Sequence, residues 1–221
     1  PGSPSREGPD RIDQRSPSLV THPAQEGGPG RLDRRLVHSG RIVELSLDTV
    51  RFPDGSVGEL ELIRHRGASA VLPLVGSPED EDPEVVLVRQ YRYATGGFVY
   101  EVPAGMPDRP GEPWDDCARR ELEEETGMKA GTLERMTRIW TTPGFTDEVI
   151  RLYLAWDLEE GEGHLDEDEF VEVVRVPFSQ AVEWVKDGTV QDCKSIATIL
   201  YAAHFIVGRP READPPGRQG G

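Results

Sequence analysis

Three glutamates, Glu121, Glu124 and Glu125, stand three and four positions apart in a segment with a helical pattern. Residues with this spacing are neighbours on a helix surface, and like charges so placed oppose helix formation by roughly 0.2 to 0.5 kcal/mol per pair. The trio also lies in the last turn, where the helix dipole disfavours carboxylates. A hard cation such as Mg²⁺ would reverse both effects, because it binds carboxylate oxygens together with water and phosphate oxygens. The spacing therefore predicts a metal site suited to phosphate chemistry.

The alternative is that the segment is only a solvated helix face, which is the usual role of a glutamate-rich helix. Glu123, on the side away from the trio, is interpreted in that way. Ala118 and Leu122, however, form a short apolar stripe beside Glu121 and Glu125. This stripe places the trio at the border of a buried surface, which favours the metal interpretation.

The helix that positions these carboxylates is expected to begin at Glu112 and Pro113, because proline is tolerated in a first turn. It is expected to end at Gly127, since glycine commonly terminates helices. Residues 120–128 (RELEEETGM) resemble the REUxEExGU half of the Nudix box, and seven residues separate Glu112 from Arg120, as in that family.

The resemblance departs from the family pattern at one place. Six residues lie between Gly105 and Glu112, where the family has five. This difference indicates a one-residue extension in the turn at 108–111 and leaves the helix assignment unchanged.

The resemblance implies an α/β fold, the Nudix α/β/α sandwich with a mixed sheet, preceded by a small antiparallel β-subdomain. Within the family, the chain most resembles the ADP-ribose pyrophosphatases. Pro143, sixteen residues after Gly127, is a recognised mark of that subfamily. The other segments that carry the resemblance are VRQYR at 88–92, EVPAG at 101–105, PGFTDE at 143–148 and DCKS at 192–195.

Similarity to the family implies Glu121 and Glu125 as direct Mg²⁺ ligands, with Mn²⁺ as a possible substitute. The carbonyl of Ala104 is implied as a further ligand, and Glu124 as a ligand or as a partner that acts in catalysis beside the metal. Arg120 and Glu112 are interpreted as an internal ion pair that orients the site, as metal sites commonly require.

A general base must reach the attacking water without being occupied as a metal ligand. In the family it can lie on a loop well after the box, where this chain has the acidic run 165–170 (LDEDEF). Glu167 is predicted to be this base, with Glu169 as the second choice. A merely solvated acidic loop is the alternative for either residue.

Arg92 is predicted to contact the substrate diphosphate, because a guanidinium matches phosphate oxygens in geometry and charge. Phe145 and Glu148, in the loop after Pro143, are predicted to shape the ribose end of the site. The alternative for these two residues is a structural turn.

Composition limits the classes of partner. The chain has 221 residues, and its 41 acidic and 25 basic residues give a formal net charge of −16, which argues against binding to nucleic acid or to an anionic membrane surface. Cys117 and Cys193 lack metal-ligand spacing and are interpreted as reduced thiols. No apolar run reaches the ~18 residues of a membrane span, and the polar N-terminal segment lacks a signal-peptide core. A cytoplasmic location is therefore expected.

Changes in composition predict four regions. They are a flexible arm at 1–31, a β-subdomain at 32–66, the Nudix domain at 67–208 and a disordered tail at 209–221. The hairpin at 41–63 is too small to be stable alone. In the family that the chain resembles, the adenine site often includes residues from the N-terminal subdomain of a partner chain. The resemblance therefore implies that the hairpin is exchanged across a homodimer, which would also bury its surface.

Short apolar or alternating segments predict the strands of the Nudix domain, at 70–75, 85–88, 98–102, 137–140, 150–156 and 170–176. Ser179 is expected to cap a helix that ends at Gly188, and Asp192 is expected to cap another helix. The second helix is predicted to turn a stripe inward, formed by Ile196, Ile199, Leu200 and Ala203.

The function predicted from the sequence is Mg²⁺-dependent hydrolysis of ADP-ribose to AMP and ribose 5-phosphate. The first alternative is another nucleoside diphosphate sugar or a dinucleotide as the substrate. The second alternative is a non-catalytic Nudix-type ligand sensor or interaction module.

Overall fold

The computed structural model describes residues 28–161, 163 and 171–209. In these ranges the chain forms ten β-strands and three α-helices. In chain order they are β1 (Gly30–Ser39), β2 (Val43–Arg51), β3 (Val57–His65), β4 (Ala68–Val75), β5 (Glu84–Arg92), β6 (Gly97–Glu101), β7 (Ala104–Gly105), α1 (Trp114–Thr126), β8 (Met128–Trp140), β9 (Val149–Glu160), β10 (Val171–Pro177), α2 (Phe178–Asp187) and α3 (Cys193–Phe205). A short 3₁₀ turn, Tyr93–Thr95, joins β5 to β6.

Strands β1, β2 and β3 form an antiparallel sheet in that order. β2 and β3 pair in continuous register over nine residue pairs. In the turn between them, the N–H of Gly55 donates to the carbonyl of Phe52 at 2.9 Å. Gly55 has a φ of 85°, which glycine adopts without a steric penalty. The predicted antiparallel β-subdomain is thus confirmed.

The larger sheet has the order β10-β5-β4-β9-β8, with β6 paired to β5 and β7 paired to β4. β4 and β9 run parallel, whereas the other paired strands run antiparallel. The sheet is therefore mixed, as predicted. The first seven residues of β4 are buried because helices cover both faces of this central strand, which explains its continuous apolar run.

Helices cover opposite faces of the mixed sheet. On one face Leu122 of α1 clusters with Val71 and Tyr153. On the other face Ile199 of α3 belongs to the larger core, which includes Leu72. Because successive side chains of a strand point to opposite faces, Val71 and Leu72 serve two separate cores. The arrangement confirms the α/β/α sandwich.

α1 begins slightly later than predicted. Its first helical residue is Trp114, because Pro113 has an extended conformation with ψ of 139°. The helix ends as predicted at Gly127, which has a φ of 68° and whose N–H donates to the carbonyl of Glu123. The carboxylates of the box therefore lie on a helix of 13 residues.

The prediction that Ser179 caps α2 is wrong. α2 begins at Phe178, and Asp82 accepts the N–H of Ser179 at 2.7 Å and its hydroxyl at 2.8 Å. The cap thus comes from a distant loop. Asp192 caps α3 as predicted, because its carboxylate accepts the N–H of Ser195 at 2.9 Å.

The inward face of α3 also differs from the predicted stripe. Ile199 is fully buried, but Leu200 is 44% exposed and points away from the core. Thr198 and Ala202 occupy buried positions instead. None of the helices in the described ranges is long and apolar enough to span a bilayer.

Two strand segments were not predicted. β8 starts at Met128, well before residue 137, and its first half alternates exposed polar residues with half-buried ones. β7 has only two residues, Ala104 and Gly105, which pair with Ala70 and Ser69 of β4. Such a short strand has no periodicity to read.

Candidate active site

The glutamates of α1 face the short strand β7. The N–H of Ala104 donates to Oε2 of Glu125 at 3.1 Å. Glu125 is 5% exposed, so its carboxylate lies beneath the strand instead of in bulk solvent. Pairing of β7 with β4 fixes the position of this backbone. The structure therefore brings Ala104 and Glu125 together, as the sequence predicts.

Gly105 allows the backbone to approach Glu121. A Cβ atom at residue 105 would overlap the carboxylate of Glu121. A residue other than glycine would therefore displace either β7 or the glutamate. The extra residue of the following turn does not disturb this contact, because Glu112 Oε2 accepts the N–H of Asp108 at 2.8 Å and ties the turn to the start of α1.

Arg120 joins the acidic residues of the site. Its Nη1 donates to Oε1 of Glu121 and to Oε2 of Glu124, each at 2.8 Å. Its Nη2 donates to the carbonyl of Met106 at 2.8 Å, and its Nε lies 3.3 Å from Oε1 of Glu112. Burial alone would lower the pKa of Arg120, but the hydrogen bonds and charges of these carboxylates raise it. The structure contains the predicted ion pair between Arg120 and Glu112.

A divalent ion is not needed to offset the repulsion among Glu121, Glu124 and Glu125. Arg120 already supplies a positive charge to Glu121 and Glu124, and a backbone N–H bonds Glu125. Within the described ranges, no three Asp, Glu, His or Cys side chains form a ready-made metal cage.

The residues nevertheless fit a hard divalent ion in their chemistry. All the candidate donors are oxygens, from Glu121, Glu124, Glu125 and the carbonyl of Ala104, and this is the donor type that Mg²⁺ prefers. The carboxylate of Glu121 occupies the space that a Cβ atom at Gly105 would need, so it lies directly against the backbone of β7. Arg120 contacts one oxygen of Glu121 and one of Glu124, so it orients these carboxylates from one side.

Arg92 lies beside this acidic group. Its Nε and Nη2 donate to Oε1 and Oε2 of Glu101 at 2.9 and 2.8 Å. This hydrogen-bonded pair raises the pKa of Arg92, and the charge of Glu125 contributes in the same direction. The side chain of Arg92 is 40% exposed, whereas that of Glu101 is 4% exposed. Arg92 is thus anchored to a buried carboxylate, while part of its side chain stays exposed to solvent.

Glu101 has a second cationic partner, Lys194, at the start of α3. Nζ of Lys194 lies 2.5 Å from Oε2 of Glu101 and 3.0 Å from Oδ2 of Asp192. The hydroxyl of Ser195 donates to Asp192 at 2.6 Å and accepts the N–H of Val102 at 2.9 Å. The first turn of α3 therefore fixes the position of the backbone at Val102, between β6 and β7.

The loop from 141 to 148 is attached to the N-terminal sheet. The N–H of Ile63 donates to the carbonyl of Phe145 at 2.8 Å. Oε2 of Glu148 accepts the hydroxyl of Thr141 at 2.8 Å, and Nδ1 of His65 lies 3.0 Å from Oε1 of Glu148. Phe145 is 50% exposed. Both predicted residues thus lie on a loop that contacts the end of β3.

Glu148 also lies on the α3 side of the site. Burial raises the pKa of Cys193, and the charges of Asp192 and Glu148 add to this effect. The candidates for the general base, Glu167 and Glu169, lie outside the described residues, and their role stays a prediction.

The two cysteines are free thiols, as predicted. Cys117 is fully buried in α1. Burial and the charge of Glu121 raise the pKa of its thiol to about 12. Cys117 is therefore a packing residue of the helix and not a nucleophile.

Sequence reasoning missed the partners that hold the predicted site residues. In the sequence, Glu101 and Lys194 stand out only as parts of segments that resemble the family, and His65 and Thr141 belong to no recognisable motif. Their partners lie far away in the chain, and local spacing carries no signal for such pairs. A buried acid next to an apolar strand, as at Glu101, is the one signal that could have prompted a search for a cation.

Comparison with known proteins agrees with this arrangement. The NUDIX domain family model matches residues 64–197. A methanol dehydrogenase activator of Bacillus methanolicus is 36% identical over 167 residues, which cover 75% of this chain and 87% of that protein. An ADP-ribose pyrophosphatase of Bacillus subtilis (strain 168) is 36% identical over 170 residues, covering 76% and 89%. An ADP-ribose pyrophosphatase of Mycobacterium tuberculosis is 35% identical over 189 residues, covering 83% and 88%.

A solved structure described as an ADP compounds hydrolase has the same fold. It superimposes with a TM-score of 0.68 and 22% sequence identity, and the match covers 83% of this chain and 96% of that chain. The family match includes both the acidic helix and the strand that faces it. The chain therefore belongs to the Nudix family of hydrolases.

Proposed function

We propose that this protein hydrolyses the diphosphate bond of ADP-ribose and releases AMP and ribose 5-phosphate. The observation that carries the proposal is the position of Arg92, a half-exposed cation beside the buried carboxylate Glu125. A diphosphate needs both kinds of group, a cation for its own charge and carboxylates for its metal. Two relatives that carry the name ADP-ribose pyrophosphatase support this choice of substrate.

Glu121, Glu125 and the carbonyl of Ala104, with Glu124 as a further ligand or neighbour, would hold Mg²⁺ or Mn²⁺. When bound, the metal supplies an activated water and neutralises charge on the departing phosphate. Arg120 holds the carboxylates of Glu121 and Glu124 in place. Such partners commonly keep metal ligands correctly oriented.

The remaining roles belong to groups around this centre. Arg92 binds the diphosphate, and Phe145 and Glu148 shape the ribose end of the site. Glu167 accepts the proton of the attacking water, with Glu169 as the second choice. These assignments rest on the family resemblance and, for Arg92, on its position beside the acidic group.

We also propose a cytoplasmic homodimer, in which the N-terminal sheet provides the contact. The support is a set of large apolar side chains on that sheet that are 43–57% exposed. They are Leu32, Leu36, Val37, Val57 and Leu60 on the strands and Ile42 in the turn between β1 and β2. Light scattering tests this proposal, since a strictly monomeric protein with full activity would contradict it. The division into regions 1–31, 32–66, 67–208 and 209–221 stays a prediction.

A substrate panel tests the catalytic proposal. ADP-ribose, ADP-glucose, GDP-mannose, NADH and diadenosine polyphosphates are incubated with the enzyme and Mg²⁺, and the products are separated chromatographically. We expect ADP-ribose to give the highest kcat/KM, with AMP as a product. Reaction in H₂¹⁸O identifies the phosphate that receives the water. Higher kcat/KM for another diphosphate would favour the first alternative substrate class.

The relative named methanol dehydrogenase activator favours a second candidate, an interaction module that binds its ligand without turnover. Equilibrium binding of ADP-ribose in the presence of Mg²⁺, with no AMP formed, would support this candidate and contradict the catalytic one.

A further inference from the structure

Arg92 and Lys194 share one buried carboxylate. Oε2 of Glu101 accepts Nη2 of Arg92 at 2.8 Å and Nζ of Lys194 at 2.5 Å, while Oε1 of Glu101 accepts Nε of Arg92. The side chains of Glu101 and Lys194 are 4% and 10% exposed. Glu101 therefore lies between two cations, of which only Arg92 reaches the open side of the site.

The second cation changes what Arg92 can offer to an anion. A carboxylate bonded to Arg92 alone would neutralise the guanidinium and compete with a phosphate for it. Because Lys194 also neutralises part of the negative charge of Glu101, the positive potential of Arg92 is reduced less by that carboxylate. Lys194 also restricts rotation of the carboxylate, and so it fixes the plane of the guanidinium.

The charge of Lys194 is itself anchored at the start of α3. Asp192 accepts Nζ of Lys194 at 3.0 Å, and it also accepts the N–H and the hydroxyl of Ser195. Three donors thus hold Asp192 at the N-terminus of α3, where the helix dipole favours a carboxylate. The row Asp192, Lys194, Glu101 and Arg92 alternates in charge from the helix to the site.

We propose that Lys194 is a positioning residue for substrate binding, which acts through Glu101 to hold Arg92 in its diphosphate-binding orientation. The inference rests on the proposed function, in which Arg92 contacts the diphosphate. Lys194 is not a catalytic residue, because its ammonium is buried and, among the residues that the structure describes, it bonds two carboxylates of this row.

The test compares Lys194→Met, Lys194→Arg, Arg92→Ala and the double variant Arg92→Ala/Lys194→Met. We expect Lys194→Met to raise KM for ADP-ribose about tenfold and to leave kcat unchanged within error. A change of this size is common when one residue of a hydrogen-bonded network is removed. Lys194→Arg retains the positive charge and should have a KM close to that of the wild type. In the double variant, loss of Lys194 should add nothing to the effect of Arg92→Ala.

The matched control is Lys186→Met. Lys186 forms an exposed ion pair with Glu183 on α2, with Nζ 2.7 Å from Oε1, and its side chain is 73% exposed. We expect this variant to keep wild-type KM and kcat. Should Lys194→Met fold poorly, the double variant Glu101→Gln/Lys194→Met removes both charges and should raise KM in the same way.

Calorimetric titration of ADP-ribose and of inorganic pyrophosphate into metal-free enzyme separates the two proposals. If the wild type does not hydrolyse ADP-ribose but its pyrophosphate affinity depends on Arg92 and Lys194, the proposed function fails and this inference stands. If the wild type hydrolyses ADP-ribose while Lys194→Met keeps both KM and ligand affinity, the inference fails alone. Additive effects in the double variant, or absence of pyrophosphate and ADP-ribose binding to the wild type, would also overturn it.

Discussion

Nδ1 of His65 lies 3.0 Å from Oε1 of Glu148, and this contact joins the end of β3 to the loop before β9. Thr141 holds the other oxygen of the carboxylate at 2.8 Å. The N-terminal sheet therefore takes part in fixing a residue that we assign to the ribose end of the site.

Removal of the His65 side chain should loosen Glu148. We expect His65→Ala to raise KM for ADP-ribose about fivefold, because contacts that act through another residue commonly contribute 0.5–2 kcal/mol. His38→Ala, on the exposed surface of β1, is the control and should leave steady-state kinetics unchanged. Equal KM values for the two variants would show that His65 does not position Glu148.

Metal binding should depend on the inner face of α1. We expect Mg²⁺ to raise the melting temperature of the wild type but not of Glu121→Gln or Glu125→Gln, since these changes remove carboxylate ligands. Glu123→Gln is the control on the same helix, because Glu123 pairs with Lys129 at 3.2 Å on another side. Unchanged magnesium affinity and diphosphate cleavage in both test variants would place the metal elsewhere.

Gly105 should not tolerate a side chain. A methyl group there overlaps the carboxylate of Glu121, so Gly105→Ala should shift a metal ligand. Such displacement of catalytic groups can lower kcat/KM on the order of 100-fold. Gly97→Ala is the control, because a Cβ at Gly97 meets nothing within 4 Å. Wild-type activity of Gly105→Ala would show that Glu121 does not need its observed position.

Loss of the general base should lower kcat. We expect Glu167→Gln to lower kcat by roughly 10²- to 10⁴-fold at saturating Mg²⁺, which is the usual contribution of a positioned base. Steady-state assays of Glu167→Gln and Glu169→Gln side by side make the comparison. Near-wild-type turnover of Glu167→Gln with a large loss in Glu169→Gln would transfer the role to Glu169.

Glu101 should make stability sensitive to acid. Burial by itself would raise the pKa of Glu101, but the hydrogen bond from Arg92 and the charge of Lys194 outweigh it and hold the pKa below its ordinary value of 4.5. Because the folded state binds this proton less readily than the unfolded state, the stabilisation is fully present above pH 4.5. It is lost as pH falls through the lower, folded-state pKa.

Urea unfolding across this pH range provides the measurement. The difference in unfolding free energy between wild type and Glu101→Gln should be largest near neutral pH and should shrink under acid. Glu183→Gln, which removes an exposed partner of Lys186, should cost little stability, as surface ion pairs contribute little. A difference that grows as pH falls would contradict the sign of this effect.

The parts of the site that depend on local spacing were predictable from the sequence. Helical geometry alone places Glu121, Glu124 and Glu125 on one side of α1, and the family pattern indicates the ion pair of Arg120 with Glu112. The β-subdomain was predictable for the same reason, since the alternation of apolar and polar residues at 41–47 and 58–63 and the turn signal PDG at 53–55 are local.

The parts that depend on distant pairs were not predictable. Ser179 has the right residue type to cap a helix, but Asp82, 97 positions earlier, accepts its N–H. In the same way, the sequence suggested Arg92 as a diphosphate contact without indicating the acid and the lysine that hold it. Tertiary contacts of this kind override local preference and leave no periodic trace in the chain.

The row from Asp192 to Arg92 has a consequence for biosynthesis. Glu101 and Lys194 are separated by 93 positions, so the ribosome completes the acidic helix long before it adds the lysine. A nascent chain that ends before α3 already contains Arg92 and Glu101, which bond each other, but it lacks the lysine that shares the carboxylate. The complete row from Asp192 to Arg92 can therefore form only after the residues of α3 have been added.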